Sequence, residues 1–217
     1  MTRAALEELI SLDSPTVVFD DCDFEGIDLS RLNLRGVEFR DCVFMEASLF
    51  ASVLSQTRWL RCRGRQADFE AADLTDAHFH NCDLNNSQWR RARLSSAAFI
   101  ECKLTGAKFE EVAHLGLSFE DTLLIGADLR KMSFRKMHLK QLDFSEAELS
   151  GCDFRDAVFE GGSLRNAQLK MARFEGADLR EANLSGLKLI DAKLFRGATL
   201  SHRQAAQLIA ELGITVA

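Results

Sequence analysis

The 217 residues suffice for one ordinary domain or two small ones, and 47% hydrophobic with 28% charged residues is a globular composition. Thirty-three acidic residues against 27 basic ones leave a formal net charge of −6, which disfavours a nucleic-acid binder that works through a broad basic surface. No stretch approaches the roughly 18–20 consecutive apolar residues that span a bilayer, and no cationic region leads into an apolar run at the start. We therefore expect a soluble, cytoplasmic protein without membrane or direct nucleic-acid contact.

The first predicted element is a short N-terminal capping helix within residues 1–16. Thr2 can act as its N-cap, Leu6, Leu9 and Ile10 lie on one helical face, and Pro15 ends the helix. We interpret this helix as a lid on the segment that follows.

Residues 17–196 repeat with a period of five. Steps of five from Phe19 to Leu194 give 36 central positions, and all are Phe, Leu or Trp except Gly64 and His114. The residue two before each centre is never charged, which indicates a second buried column, whereas the other three positions are mostly polar. A period of five fits neither a helix nor a strand, so the chain must turn at regular intervals and stack its turns into a solenoid.

The cysteines indicate how many sides each turn has. Five of them lie two residues before a centre and recur every 20 residues: Cys22, Cys42, Cys62, Cys82 and Cys102. Twenty residues are four five-residue units, so we predict four-sided turns and about nine coils, a rod of about 43 Å at about 4.8 Å per coil. No cysteine belongs to a C-x-x-C pair, so we expect reduced thiols packed as small apolar side chains, with redox sensing as the alternative.

The individual units carry a recognisable pattern. Residues 67–71 read Ala-Asp-Phe-Glu-Ala and residues 72–76 read Ala-Asp-Leu-Thr-Asp, and such A-(D/N)-L-x-x units follow one another without a break. This series resembles the pentapeptide repeat family. The resemblance implies an all-β fold, a right-handed quadrilateral β-helix in which the centre and the residue two before it point inward.

The last predicted element is a C-terminal helix with a short tail, within residues 197–217. Ser201 and Gln204 form a capping box, apolar residues follow at helical spacing, and Gly213 ends the helix. The helix is either a second lid or, because it carries more apolar surface than a lid needs, a symmetric dimer contact. The predicted dimer interface consists of Ala205, Leu208, Ile209, Leu212 and Ile214.

The segment from Gln204 to Ile214 is similar to the tail of the Qnr-type quinolone-resistance proteins, in which the terminal helix pairs two rods end to end. That resemblance implies a homodimer and a DNA mimic that engages DNA gyrase or topoisomerase IV. Many Qnr proteins interrupt their coils with projecting loops that contribute to protection. Here the period of five runs from 19 to 194 without an insertion, so no loop-borne function is carried over.

Assigning each outward residue to one of the four sides predicts one acidic side, centred on Phe19 and every twentieth residue after it. Ten acids and five bases leave it at −5, and its acids are the predicted topoisomerase contacts: Asp20, Asp21, Glu38, Asp41, Glu101, Glu120, Asp121, Glu160, Asp178 and Glu181. A long anionic face would be steered toward a groove lined with Lys and Arg. The alternative is that the acids only keep a rod soluble.

Two units break the pattern, one around Gly64 and one around His114. Four arginines surround the first, namely Arg58, Arg61, Arg63 and Arg65, and they are either a contact point or solvated charge. His114 is interpreted as a satisfied core polar group or a local distortion.

No constellation in the sequence indicates catalysis. His78, His80 and His138 fall on one side, but three coils, roughly 14 Å, separate the first from the last, which is too far for a shared metal. Nothing resembles a nucleophile elbow or a phosphate loop, so we expect no enzyme, no metal and no cofactor. The resemblance to the Qnr-type proteins implies a DNA mimic that protects gyrase or topoisomerase IV from quinolone-type poisons, with a structural or scaffolding repeat protein as the alternative.

Overall fold

The computed structural model describes Arg3, residues 17–187 and residues 193–210. Arg3 donates from its guanidinium to the carbonyl oxygens of Asp28 and Ser30, both at 3.1 Å. Except for Arg3, the predicted capping helix lies outside the described residues.

The described chain is a parallel β-solenoid, as predicted, and it divides into two compact units, Met1–Leu123 and Leu124–Ala217. The period of five runs through the boundary, so the sequence pattern does not indicate this division. Of the C-terminal tail, residues 211–217 lie outside the described part, and with them the predicted helix stop at Gly213.

The first unit contains six three-residue strands, one per turn and 20 residues apart. They are β1 (Val18–Asp20), β2 (Glu38–Arg40), β3 (Arg58–Leu60), β4 (His78–His80), β5 (Ala98–Ile100) and β6 (Ser118–Glu120). They pair in parallel and in chain order, with each residue opposite the one 20 positions later, as Phe19 is opposite Phe39. This one-per-turn spacing is what the cysteine period predicts.

The second unit contains β7 (His138–Lys140), β8 (Val158–Glu160) and a helix, α1 (His202–Ala210). The two strands pair in parallel, with Leu139 opposite Phe159. At the ninth predicted turn Asp178 forms single bridges to Val158 and to Thr199 instead of a strand.

Backbone bridges on the other sides of each turn complete a four-sided coil. In the first unit Asp23, Asp28 and Asn33 bridge in parallel to the residues 20 positions later, five residues apart along the chain. A typical bond runs from the amide of Leu29 to the carbonyl oxygen of Ser48, at 2.7 Å. Because every side of the coil pairs with the next turn, few peptide groups of the wall are left without a partner.

The corners of the coil explain the Asp or Asn that precedes so many centres. The residue two after each centre commonly has a positive φ, as at Asp21 (50°) and Arg31 (59°). The carboxylate of Asp28 accepts a hydrogen bond from the amide of Ser30 at 2.9 Å, and Asp23 accepts one from Glu25 in the same way. These carboxylates stabilise the turn locally, so they are structural as well as charged.

The interior is filled by columns of stacked side chains. In the first unit Phe79 stacks on Phe99 with ring centroids 4.7 Å apart, and Phe79 meets Trp89 edge to face at 5.7 Å. In the second unit Phe154 stacks on Phe174 at 4.9 Å. The centres therefore point inward, as the resemblance to pentapeptide repeats implies.

The last predicted centre is wrong by one residue. Leu194 is half-buried, whereas Phe195 is buried and packs on Phe174 with centroids 5.0 Å apart. The bridge from Asp178 to Thr199 spans 21 residues instead of 20, so one extra residue enters the turn between them. The unbroken period of five therefore ends before this turn.

Each buried tryptophan needs a hydroxyl two residues before it. The indole N–H of Trp89 donates to the hydroxyl of Ser87 at 2.7 Å, and Trp59 donates to Thr57 at 2.9 Å. The Ser87 hydroxyl donates in turn to the carbonyl oxygen of Leu84 at 2.7 Å. One turn later the same positions are Ala77 and Ala107, whereas the two tryptophan turns have a hydroxyl, which supplies the acceptor that a buried N–H needs.

We expect Ser87→Ala to lower the free energy of unfolding by about 1–3 kcal/mol, because it strands the indole N–H of Trp89. Ser52→Ala is the matched control, since Ser52 is equally buried and donates to a carbonyl at 2.6 Å but the next centre is a leucine. Urea unfolding followed by far-UV circular dichroism measures both. Equal losses in the two variants would contradict the role given to Ser87.

Candidate functional site

The predicted acidic side contributes seven carboxylates in the first unit. Asp20, Glu38 and Glu120 lie in strands, where alternate side chains point outward, and the other four follow strands at corners with positive φ: Asp21, Asp41, Glu101 and Asp121. All seven are exposed or half-buried. Their role in contacting a partner stays a prediction.

Two of these carboxylates are already paired with arginines. Glu38 accepts from Nε of Arg40 at 2.6 Å, and Asp41 accepts two bonds from Arg61, one turn away, at 2.8 and 2.5 Å. The hydrogen bonds from Arg61 lower the pKa of Asp41. Exposed pairs of this kind add little stability, but they cancel charge that a partner would otherwise meet.

The acidic side is therefore not uniformly negative in the first unit. Its second and third turns bring Arg40, Arg58 and Arg61 next to Glu38 and Asp41. The acids that remain lie toward its two ends: Asp20, Asp21, Glu101, Glu120 and Asp121. Of these, Glu101 lies 3.8 Å from Nε2 of His80.

The second unit contains three of the predicted topoisomerase-contact acids, Glu160, Asp178 and Glu181. His138 Nδ1 and the Glu160 carboxylate lie 2.6 Å apart, and Asp178 forms an ion pair with Arg180 at 2.6 Å. The hydrogen bond from Arg180 lowers the pKa of Asp178. Glu181 is exposed. Two of the three carboxylates thus have a basic or imidazole neighbour.

Formal charge divides unequally between the two units. Residues 1–123 contain 21 acids and 13 bases, a net of −8, whereas residues 124–217 contain 12 acids and 14 bases, a net of +2. A sum of charge by sides of the coil does not reveal this difference along the chain. Any attraction to a cationic partner therefore originates mainly in the first unit.

The C-terminal helix α1 is docked on the last described turn. Ser201 and Gln204 form the predicted capping box, with the Ser201 amide donating to Oε1 of Gln204 at 2.7 Å. The buried Gln204 amide donates to the carbonyl oxygens of Leu179 and Ala182 at 2.6 and 2.7 Å. These bonds satisfy carbonyls at the end of the coil, so the helix acts as a lid at this contact.

The predicted dimer residues occupy the rest of that helix. Ala205, Leu208 and Ile209 are half-buried, and Leu212 and Ile214 lie outside the described residues. Within the described part of the helix, Gln204 is the residue that is buried. The dimer contact therefore stays a prediction.

The cysteine column lies at an inner corner and donates hydrogen bonds to the backbone. Cys102 donates to the carbonyl oxygens of Phe79 and Ile100 at 3.5 and 3.3 Å. One turn later Thr122 donates to the corresponding oxygens of Phe99 and Glu120. A hydroxyl thus takes the position of a thiol, which indicates that the column packs the corner and satisfies carbonyls.

The two irregular units have structural explanations. A Cβ atom at Gly64 would lie 3.0 Å from Cδ2 of Leu84, so the neighbouring leucine fills the room that a side chain would need. His114 is half-buried, with Nδ1 3.2 Å from the carbonyl oxygen of Val112, and the adjacent Leu115 is 86% exposed. Of the arginines around Gly64, Arg61 pairs with an acid as above, and Arg65 does so with Asp83 at 2.8 Å.

Within the described ranges, no group of three or more His, Cys, Asp or Glu side chains has the geometry to hold a metal ion. A search of the same residues finds no helix with the length and hydrophobicity of a transmembrane span.

This architecture defines a repeat protein, a β-solenoid that presents mixed charged faces and a docked terminal helix. Models of the pentapeptide repeat region match residues 14–89, 72–142 and 92–169, and a model of nine pentapeptide repeats matches residues 144–202. The chain therefore belongs to the pentapeptide repeat family. Neither match describes a catalytic family.

Solved structures with the same fold include QnrB1, a plasmid-mediated fluoroquinolone resistance protein. A trypsin-treated variant of QnrB1 superposes with a TM-score of 0.80 and 24% identity, over 93% of this chain and 99% of that one. Full-length QnrB1 gives a TM-score of 0.80 with 22% identity over 91% and 100%. At this identity the likeness establishes the fold.

Two curated relatives share shorter stretches with this chain. The pentapeptide repeat protein MfpA of Mycobacterium tuberculosis is 32% identical over 74 residues, 32% of this chain and 40% of MfpA. MfpA of Mycolicibacterium smegmatis is 39% identical over 46 residues, 21% of this chain and 24% of the relative. The chain thus spans less than half the length of the curated relatives it matches.

We expect Cys22 to be the thiol that reacts first with iodoacetamide in the folded protein. Cys22 is half-exposed, whereas the other five are buried, and burial raises the pKa of Cys152 to about 12. At pH 8 only about one Cys152 thiol in ten thousand would then be a thiolate, the form that reacts.

Intact-mass and peptide mass spectrometry at pH 8 should find one modification, at Cys22, and six in denaturant. Cys22→Ser serves as the control and should remove the fast modification. Labelling of Cys152 as quickly as Cys22 would contradict the burial of that thiol.

Proposed function

We propose that this protein binds DNA gyrase or topoisomerase IV as a mimic of DNA and protects the enzyme from quinolone-type poisons. The observation that carries the proposal is the shared architecture with QnrB1 along nearly the whole chain. Protection would come from competition with DNA or from destabilising the poisoned complex, with no chemistry on the drug. A cytoplasmic location belongs to the same proposal, because the target acts on chromosomal DNA.

Electrostatics supports the proposal for the first unit in particular. A type II topoisomerase must hold DNA in a groove lined with cations, and a ligand of net charge −8 would be attracted to the same groove. Stacked turns repeat the outward positions at about 4.8 Å, so carboxylates at the same corner form a row. The row interacts most strongly where arginines do not neutralise it.

The contact residues that we favour are therefore the acids of the first unit that lie away from its arginine-rich middle turns. They are Asp20 and Asp21 in the first turn and Glu101, Glu120 and Asp121 in the fifth and sixth. Glu38, Asp41 and Asp178 contribute less, because each is held by an arginine. Glu160 and Glu181 would add a smaller contribution from the second unit.

A homodimer is part of this proposal. The helix α1 keeps Ala205, Leu208 and Ile209 only half-buried, and Gln204 fixes its orientation on the last turn. An apolar surface that is held rigidly at the end of a solenoid suits a two-fold contact with a second copy. Leu212 and Ile214 would extend that contact.

The second candidate is a structural or scaffolding protein that binds another macromolecule. The ion pairs on the acidic side favour it, because a surface of paired charges is mixed and not strongly anionic. A pentapeptide solenoid also specifies a surface without specifying a partner.

The proposal is tested by gyrase supercoiling with and without a quinolone, across a titration of this protein. We expect restored supercoiling as the protein concentration rises. Inhibition without rescue would leave a DNA mimic that only inhibits the enzyme. No effect at all would favour the scaffolding candidate.

The charge argument is tested by Asp20→Asn, Asp21→Asn and Glu101→Gln in one chain. Asparagine is tolerated at the positive φ of Asp21, so the fold should be retained. We expect about tenfold more protein for half-maximal rescue and a weaker dependence of rescue on salt.

The matched control removes an equal number of negative charges, three, from the second unit, with Glu146→Gln, Asp156→Asn and Glu175→Gln. We expect the control to stay within about twofold of the parent, since these side chains belong to a unit of net positive charge. Equal losses in the two triple variants would contradict a contact through the first unit.

A further inference from the structure

The outward face of β2–β4 in the first unit contains a depression of about 420 Å³. It is lined by Glu38, Arg58, Trp59, Leu60, His78 and His80. Sites for small molecules start at a few hundred Å³ and combine apolar surface with a few polar groups. We propose that this depression binds a small organic carboxylate with a flat apolar body.

Parallel pairing in register builds the depression from two rows of side chains. Arg58 lies opposite Glu38 on one side and His78 on the other, and these residues form the polar row. Leu60 lies opposite His80 in the second row. Because successive strands are about 4.8 Å apart, Arg58 and His78 can contact one carboxylate together while the ligand body lies on Leu60.

The charge of Arg58 is available to a ligand. Its neighbours are neutralised, since Arg40 pairs with Glu38 at 2.6 Å and Arg61 pairs with Asp41. Arg58 itself is exposed and forms no ion pair within the described ranges of the chain. Glu38, the acid of the depression, is therefore already engaged by another cation and does not compete for Arg58.

The histidines orient the proposed ligand. His78 donates from Nδ1 to the carbonyl oxygen of Asp76 at 3.0 Å, so Nε2 can donate to a ligand carboxylate when the ring is in its protonated, imidazolium form. His80 has Nε2 3.8 Å from the Glu101 carboxylate, so that end of the depression repels a second anion. The carboxylate therefore lies toward Arg58 and His78, and the flat body extends over Leu60 toward the imidazole of His80.

A guanidinium and a carboxylate form charge-assisted hydrogen bonds, which are stronger than bonds between neutral groups. The apolar part of the ligand adds the surface that it removes from water on Leu60. Both contributions are needed in so shallow a site. The proposal is independent of topoisomerase binding, because it involves a small molecule, and Arg58 and His78, which would hold its carboxylate, are not among the proposed topoisomerase contacts.

The test is a titration of the full-length, isotope-labelled protein with benzoate at pH 7, followed by NMR of the His78 and His80 ring protons and the Leu60 methyl groups. We expect saturable shifts at all three residues. Benzamide, which has the same ring without the charge, and acetate, which has the charge without the ring, should each bind at least about tenfold more weakly.

Arg58→Gln should weaken benzoate binding about tenfold, and His78→Gln provides a second variant that reports on the same carboxylate. Arg63→Gln is the matched control, because Arg63 is an exposed arginine outside the depression. It should leave the affinity unchanged. Equal binding of benzoate and benzamide by the parent, or equal losses in Arg58→Gln and Arg63→Gln, would overturn the proposal.

Discussion

The hydrogen-bond ladder between turns 20 residues apart is the constraint on which the rest of this structure depends. A chain that folds into a narrow coil must pair its peptide groups, and here they pair with the next turn on every side. In-register pairing then places like positions on top of one another, so rings stack on rings in the core. The corners must adopt positive φ, which is why short polar residues recur beside them.

The same ladder decides the charge of the surface. Side chains 20 residues apart lie on adjacent turns, so an arginine reaches the acid one turn before it, as Arg61 reaches Asp41 and Arg90 reaches Glu70. The number of acids along one side therefore overstates the negative charge that a partner meets. The pairing of Asp41 in the middle turns of the first unit follows from this.

Function in such a protein depends on positions that the repeat leaves variable. The core positions specify the solenoid and little else. The structural similarity to QnrB1, at 24% identity, likewise establishes only the fold. In this chain such positions give the −8 charge of the first unit, the exposed Arg58 next to Leu60, and the anchoring of the terminal helix by Gln204. Each of these features lies outside the stacked columns.

The sequence by itself determined the solenoid and its inward columns, because a strict period of five fits neither a helix nor a strand. Cysteines 20 residues apart indicated the four sides, and the spacing of Ser201 and Gln204 indicated the capping box. The tertiary structure alone decided which acids are neutralised, as with Glu38 and Asp41, because a pair depends on the direction in which two long side chains extend. It also decided that Phe195 and not Leu194 enters the core. One extra residue in the last turn does not alter the five-residue pattern of the turns before it. The displacement of the core position from Leu194 to Phe195 is therefore visible only in the structure, where Phe195 packs against Phe174.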